Sequence, residues 1–288
     1  MATFVNLLVG GLLTGGIYAL VALGLAIVFG VTRILNVAHG DFVMLGAFGA
    51  YLLSTTFDVG PVYAIPFVFV VVGLGGVLLE RIAARPFLRS GHRELLVGPL
   101  LVTLGVSLVL AELVTLRFDA IDRSVRTVAG AVRAGPVAIS TTRLAALVAM
   151  VLLTVALTLF ITRTFPGRAL RALAQDSEGA RLVGVDVGAA TRTAFLTSAG
   201  VAGIAGVFYV VLFTANPHMG LPLTLKSLAV IVLGGLGSLP GAFAAGLVLG
   251  VLEAMTSYYV GGQWTGAVAV IALIGVLVVR PQGLFVRG

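Results

Sequence analysis

Eight stretches of this chain contain no Asp, Glu, Lys or Arg: residues 1–32, 42–57, 59–79, 95–111, 144–162, 193–225, 227–252 and 254–279. A helix needs roughly 20 apolar residues to cross about 30 Å of hydrocarbon. The runs are continuous, whereas the strands of a membrane β-barrel alternate apolar and polar residues over about ten positions. They fit eight or nine transmembrane helices, at about 5–31, 41–57, 61–80, 95–116, 143–162, 193–213, 222–238, 241–258 and 262–279. The expected fold class is therefore all-α, a polytopic integral membrane helical bundle. Composition agrees, with 59% of residues apolar and 10% charged, against about 25% charged in an ordinary soluble domain.

The remaining charge excludes several functions. Seventeen Arg and one Lys give a net +7, but they sit in short segments between apolar runs, as membrane proteins place them. A nucleic-acid binder is excluded on that pattern. With no Cys, disulfides, thiol catalysis and Cys-ligated metals are excluded too. No hydrolase triad, paired catalytic carboxylates or His-Glu-x-x-His zinc helix is present, which argues against an intramembrane enzyme. The opening Met-Ala-Thr-Phe-Val-Asn has no basic residue before the first apolar run, so that run reads as a retained span. No linker-like segment divides the chain, and residues 1–288 read as one transmembrane domain.

Arginines set the orientation, because short loops rich in Lys and Arg stay cytoplasmic. Arg81, Arg85, Arg89 and Arg93 mark one such loop, and Arg163, Arg168, Arg171, Arg181 and Arg192 another. The links near 57–60, 214–221 and 259–263 carry none and belong outside, which places the N-terminus outside and the C-terminus inside. The loop at about 117–142 falls outside by parity despite its arginines, and its Gly135-Pro136-Val137-Ala138-Ile139-Ser140 suggests a folded external hairpin. The segment Arg33–Asp41 is either a link between two spans or a break within the membrane.

Several glycines are spaced for close helix packing, at Gly11/Gly15, Gly237/Gly241, Gly246/Gly250 and Gly200/Gly203/Gly206, since small residues let helices approach where lipid supplies no hydrophobic drive. The stretch Leu233–Gly241 holds Gly234, Gly235 and Gly237 as well as Pro240. It cannot continue as a strong helix and is either a tight turn or the tip of a broken helix. It matches neither nucleotide-binding glycine signature. Asn36, His39, Gly40 and Asp41 gather polar groups between two apolar runs. Asn36 and His39 would share a helical face; the segment is an interfacial turn or a border of a transport path, where ionisable groups are costly and functional. Lys226, the single lysine, reads as a snorkelling side chain, and Glu112 and Glu253 as solvated carboxylates near span ends. The long spans then lack the paired ionisable groups of an ion-coupled carrier.

Residues 163–192 are the most informative. Pro166-Gly167 breaks the preceding span, and Ala169, Leu170, Leu173 and Ala174 recur with helical spacing. Asp176, Ser177 and Glu178 favour the start of a second short helix, which Gly184 can end. This is an amphipathic unit suited to docking a partner.

The chain resembles the permease subunits of branched-chain amino acid ABC importers over essentially its whole length. The resemblance rests on Tyr18–Gly30, on Ile34-Leu-Asn-Val-Ala-His-Gly-Asp-Phe42, on Gly167-Arg-Ala-Leu-Arg-Ala172, on the Gly179…Gly184 loop, on Val232-Leu-Gly-Gly-Leu-Gly-Ser238 and on Arg280-Pro-Gln-Gly-Leu-Phe285. It implies a multi-pass protein of the bacterial inner membrane that moves branched-chain or other hydrophobic amino acids along an apolar route. A second, related permease chain, two cytoplasmic ATPase subunits and an external solute-binding protein would complete the importer. ATP and Mg would be bound by the ATPases, with no cofactor in this chain. The loop at about 163–192 would couple to an ATPase through Arg168, Arg171, Asp176, Glu178, Gly179, Arg181 and Gly184. Asn36, His39, Gly40, Asp41, Gly234, Gly235 and Gly237 are the candidates for the translocation path or its gates. Urea or short amides are alternative solutes of the same class, and a stand-alone channel or ion-coupled carrier is the alternative of a different class.

Overall fold

The computed structural model describes residues 2–87, 94–125, 130–134, 137–235, 238–280 and 283. Its helices are α1 (Ala2–Thr32), α2 (His39–Phe57), α3 (Pro61–Leu79), α4 (Glu94–Phe118), α5 (Thr141–Arg163), α6 (Phe165–Gln175), α7 (Ser177–Leu182), α8 (Val187–Leu212), α9 (Gly220–Gly234), α10 (Leu239–Tyr259) and α11 (Thr265–Val279). A π-helical turn, Glu80–Ala84, extends α3. Between α4 and α5 the strands β1 (Ala131–Ala134) and β2 (Val137–Ser140) pair antiparallel, from Ala131 opposite Ser140 to Ala134 opposite Val137. The expected hairpin is there, although Gly135 and Pro136 lie outside the described residues.

Seven helices among the described residues are long and apolar enough to cross a membrane. The chain is an all-α multi-pass membrane bundle, and the count of eight or nine was approximate. The shortfall is partly at α9. The sequence predicts a span over 222–238, but the helix has 15 residues and rises about 22 Å, short of the hydrocarbon thickness. At α8 the error runs the other way. It starts at Val187, six residues before the predicted 193, because the Asp186 side chain accepts the Ala189 N–H at 2.9 Å and caps it.

The chain divides into two compact units, residues 1–23, 126–156 and 225–288, and residues 24–125 and 157–224. In the second, α8 packs against α2 and α3. A Cβ on Gly46 would fall on the Gly203 carbonyl, and one on Gly206 on the Val43 carbonyl, so the backbones of α2 and α8 touch. Gly203 lies against Val68 and Val72, Gly200 against Phe69, and Gly73 against Leu196; α3 and α8 therefore run antiparallel. In the first unit, Gly11 and Gly15 of α1 face Gly246 and Gly250 of α10. The two small-residue pairs seen in the sequence are thus opposite sides of one helix contact. Gly16 meets the Met150 side chain of α5, and α11 packs on α10.

Candidate functional site

The 163–192 segment folds as its turn chemistry dictates. Thr164 caps α6 by accepting the Gly167 N–H at 3.2 Å, and Pro166 sits in the first turn, where its missing N–H costs nothing. Leu170 and Leu173 are buried, while Arg168 and Arg171 are exposed. Asp176 then ends α6 and begins α7, its Oδ1 accepting the Glu178 N–H at 2.9 Å. Gly179 lies against that carboxylate, where a Cβ would be 2.6 Å from Oδ2. Past Arg181, Gly184 takes φ +86°, and its N–H donates to the Arg181 carbonyl at 3.0 Å. Ala180 is buried, but Leu182 and Val183 are 85% and 79% exposed. The unit is hydrogen-bonded at both ends and presents apolar bulk directly after Arg181.

The segment between α1 and α2 is an internal break. Arg33 takes φ +57° and its guanidinium donates to the Ala174 carbonyl at 3.2 Å, which ties the end of α1 to α6. The chain then runs non-helical to His39. His39 is fully buried against Gly24, with Nδ1 3.5 Å from the Ser198 hydroxyl. Ser198 lies 11 residues into α8, about 17 Å from its start, so α2 begins at depth rather than at an interface. Asn36 precedes α2, so it shares no helical face with His39; it is buried, its carbonyl accepts the His39 N–H at 3.4 Å, and its Oδ1 has no partner. The Gly40 N–H donates to the Thr224 hydroxyl at 2.8 Å, and that hydroxyl donates to the Val37 carbonyl at 2.9 Å. The Val37 N–H in turn donates to the Thr103 hydroxyl at 3.2 Å. The buried Asp41 carboxylate is hydrogen-bonded by Ser107 and touches Gly220. Hence α2 and α9 start at one place, and their first turns share Gly40, Asp41, Gly220 and Thr224.

The glycine-rich stretch is a tight turn. Gly234 ends α9 directly against Gly241 and Ala242, Gly235 takes φ +95°, and the Ser238 hydroxyl accepts the Gly241 N–H at 3.1 Å to cap α10. Gly283, at φ +92°, backs onto Gly235. Gly237 lies outside the described residues. At the other end of the second unit, Asn216 donates to Asp122 at 2.9 Å and Ala215 exchanges backbone hydrogen bonds with Arg123. The 117–125 and 213–219 links therefore meet at one end, as alternating sides require.

One cluster contradicts the sequence reading. Lys226 neither snorkels nor stands alone, and Glu253 is not solvated. Lys226 Nζ is 2.9 Å from Glu253 Oε2 and donates to the Tyr18 hydroxyl at 2.8 Å; Tyr18 donates to the same Oε2 at 2.7 Å. The side chains of Lys226 and Glu253 are 23% and 6% exposed. Tyr18 stands at the middle of α1, so the pair is at mid-span, and the spans do contain paired ionisable groups. The signal was present: each residue is a lone charge between two long apolar runs, of opposite sign and 27 positions apart. Among the described residues no group of three or more His, Asp or Glu could hold a metal ion.

The family model described as "Branched-chain amino acid transport system / permease component" matches residues 7–277. The high-affinity branched-chain amino acid transport system permease protein BraD of Pseudomonas aeruginosa is 33% identical, over 99% of this chain and 96% of its own. The corresponding LivH of Escherichia coli is 32% identical, with the same coverage. A solved structure, PsaBC from Streptococcus pneumoniae in complex with Fab, is similar with a TM-score of 0.53 at 13% identity, over 98% of this chain and 96% of that one. That last likeness is one of fold.

Proposed function

The chain belongs to the family of permease components of branched-chain amino acid transport systems, and from that premise we propose that it imports branched-chain or other hydrophobic amino acids as the membrane-spanning subunit of an ATP-driven complex. It is a multi-pass membrane protein and a transport component, not an enzyme. The observation that carries the solute class is the match to amino acid permeases along nearly the whole chain, membrane spans and connecting loops alike.

In this reading the chain sits in the cytoplasmic (inner) membrane with its N-terminus outside. A second, related permease completes the pathway, an external binding protein delivers the solute, and two ATPase subunits bind ATP and Mg on the cytoplasmic side. The α6–α7 unit docks on an ATPase. Its support is the capped, exposed helix with Leu182 and Val183 outward, flanked by Arg168, Arg171, Glu178 and Arg181. The Arg33 hydrogen bond to Ala174 gives that unit a mechanical hold on the α1–α2 break. A shift of α6 would thus pull on the link that holds Asn36, His39, Gly40 and Asp41. The α9–α10 turn at Gly234 and Gly235 is the corresponding fixed point of the first unit.

The test is uptake by the reconstituted complex of permeases, ATPases and binding protein in liposomes. ATP-dependent accumulation of leucine, isoleucine or valine is expected. Accumulation of urea or acetamide in its place would transfer the function to short amides, and uptake by this chain alone without ATP would make it a channel or carrier. Gly184→Trp and Arg181→Glu should leave the chain inserted and cut ATP-driven uptake at least tenfold; full uptake by both variants would remove the loop from the coupling role.

A further inference from the structure

An ammonium in the middle of a membrane span is costly unless it is paired or faces water. Lys226 is paired with Glu253, yet a quarter of its side chain is open to the surroundings of the chain. Its ammonium has acceptors for two of its three hydrogens, on Tyr18 and Glu253, and the third cannot face hydrocarbon without losing its hydration. That hydrogen calls for an acceptor on a polar ligand or on another protein surface.

The hydrogen bonds of the cluster decide between them. An ammonium has three donors, and the structure uses two, on Tyr18 and Glu253. Glu253 Oε2 accepts from both Tyr18 and Lys226, while the buried Oε1 has no partner. The cluster therefore carries one unused donor and one unused acceptor, and its formal charges cancel. A single anion from a neighbouring subunit would leave a net negative charge in the membrane. A ligand that carries one carboxylate and one ammonium keeps the sum at zero and matches both unused atoms.

We propose that Lys226, with Glu253 and Tyr18, forms a mid-membrane site that receives the charged head of a transported zwitterionic amino acid. Its carboxylate meets the free donor of Lys226 and its ammonium turns toward Glu253. The inference rests on the reading of the chain as an amino acid importer, and it adds to that reading a station for the charged head of the solute. Such a station would reject urea and simple amides, which bring no carboxylate to the ammonium.

The absence of cysteine from the chain makes a chemical test available. Leucine uptake is first measured on the wild-type complex in proteoliposomes; failure there refutes the importer reading itself and not this site. Lys226→Cys is then assembled with the same subunits and compared before and after treatment with 2-aminoethyl methanethiosulfonate, which restores an ammonium, or methyl methanethiosulfonate, which does not. The site requires at least a tenfold rise in KM or a tenfold fall in uptake, recovered by the aminoethyl reagent alone. Wild-type uptake by Lys226→Cys, or equal recovery with both reagents, overturns it. Leu225→Cys, on the exposed side of α9 with Lys226 intact, covers the case in which Lys226→Cys fails to assemble. Leucine should slow its labelling at least threefold, and an unchanged labelling rate removes the solute from this place.

Discussion

The best 18-residue window of α8 and the segment Gly262–Val279, which contains α11, have the same mean hydropathy, 2.0, yet 78% of one is buried and 6% of the other. Hydropathy therefore reports only that each helix belongs in a membrane. Lipid tails are as apolar as Leu, so what decides burial is how closely other helices can approach. In α8 the small residues Ala199, Gly200, Ala202, Gly203, Ala205 and Gly206 fall within eight consecutive positions, more than two full turns, and neighbours can approach from every side. In α11 they are Gly266, Ala267, Ala269, Ala272 and Gly275, spread over ten positions. Of these only Ala269 is buried, and nothing lies within 4 Å of Gly266 or Gly275, so the small residues of α11 are not met by close neighbours within this chain.

The same Gly→Ala change, made at three places, should separate the two environments. At Gly206 the new Cβ meets the Val43 carbonyl, and backbone cannot yield as a side chain can. We expect Gly206→Ala to cost about 3 kcal/mol or more, the upper range of overpacking, and to show as low abundance and a melting temperature lowered by several degrees in detergent. An unchanged melting temperature would mean that α8 is less enclosed than its burial indicates. At Gly16 the obstacle is the Met150 thioether, 3.0 Å away, a flexible end that can swing aside. Gly16→Ala should cost about 1 kcal/mol, at the low end of overpacking. At Gly275 nothing lies within 4 Å, and Gly275→Ala should be neutral or stabilise the helix by up to about 1 kcal/mol through propensity alone. If Gly275→Ala instead breaks assembly of the complex while the isolated chain keeps its melting temperature, the open side of α11 is a subunit interface.

What was legible in the sequence follows the same division between local and distant causes. The helix ends near Arg163, Gly184 and Arg280 could be read because capping, positive φ and charge act within a few residues of themselves. The two ends of α7 were legible, since Asp176 and Gly184 each set a bond to a near neighbour, whereas the Thr164 cap of α6 was not read. The half-length of α9 was not, because it depends on Gly40 and Asp41 meeting Gly220 and Thr224 from some 180 positions away. Nor was the state of Lys226, whose partners Tyr18 and Glu253 stand 208 and 27 positions from it. The expectation for Asn36 failed through a local cause: helical spacing was assumed across a link that does not become helix until His39.

The contact of Gly283 with Gly235 also orders events during synthesis. Forty-eight residues separate these two left-handed glycines. A ribosome adding about 5–20 residues per second makes the later one several seconds after the earlier. Through that interval α10 and α11 enter the bilayer while the bend that precedes them still lacks its backing. The later segment is thus the wedge that closes a joint formed earlier, and α9 gains this backing only after α10 and α11 have both been made.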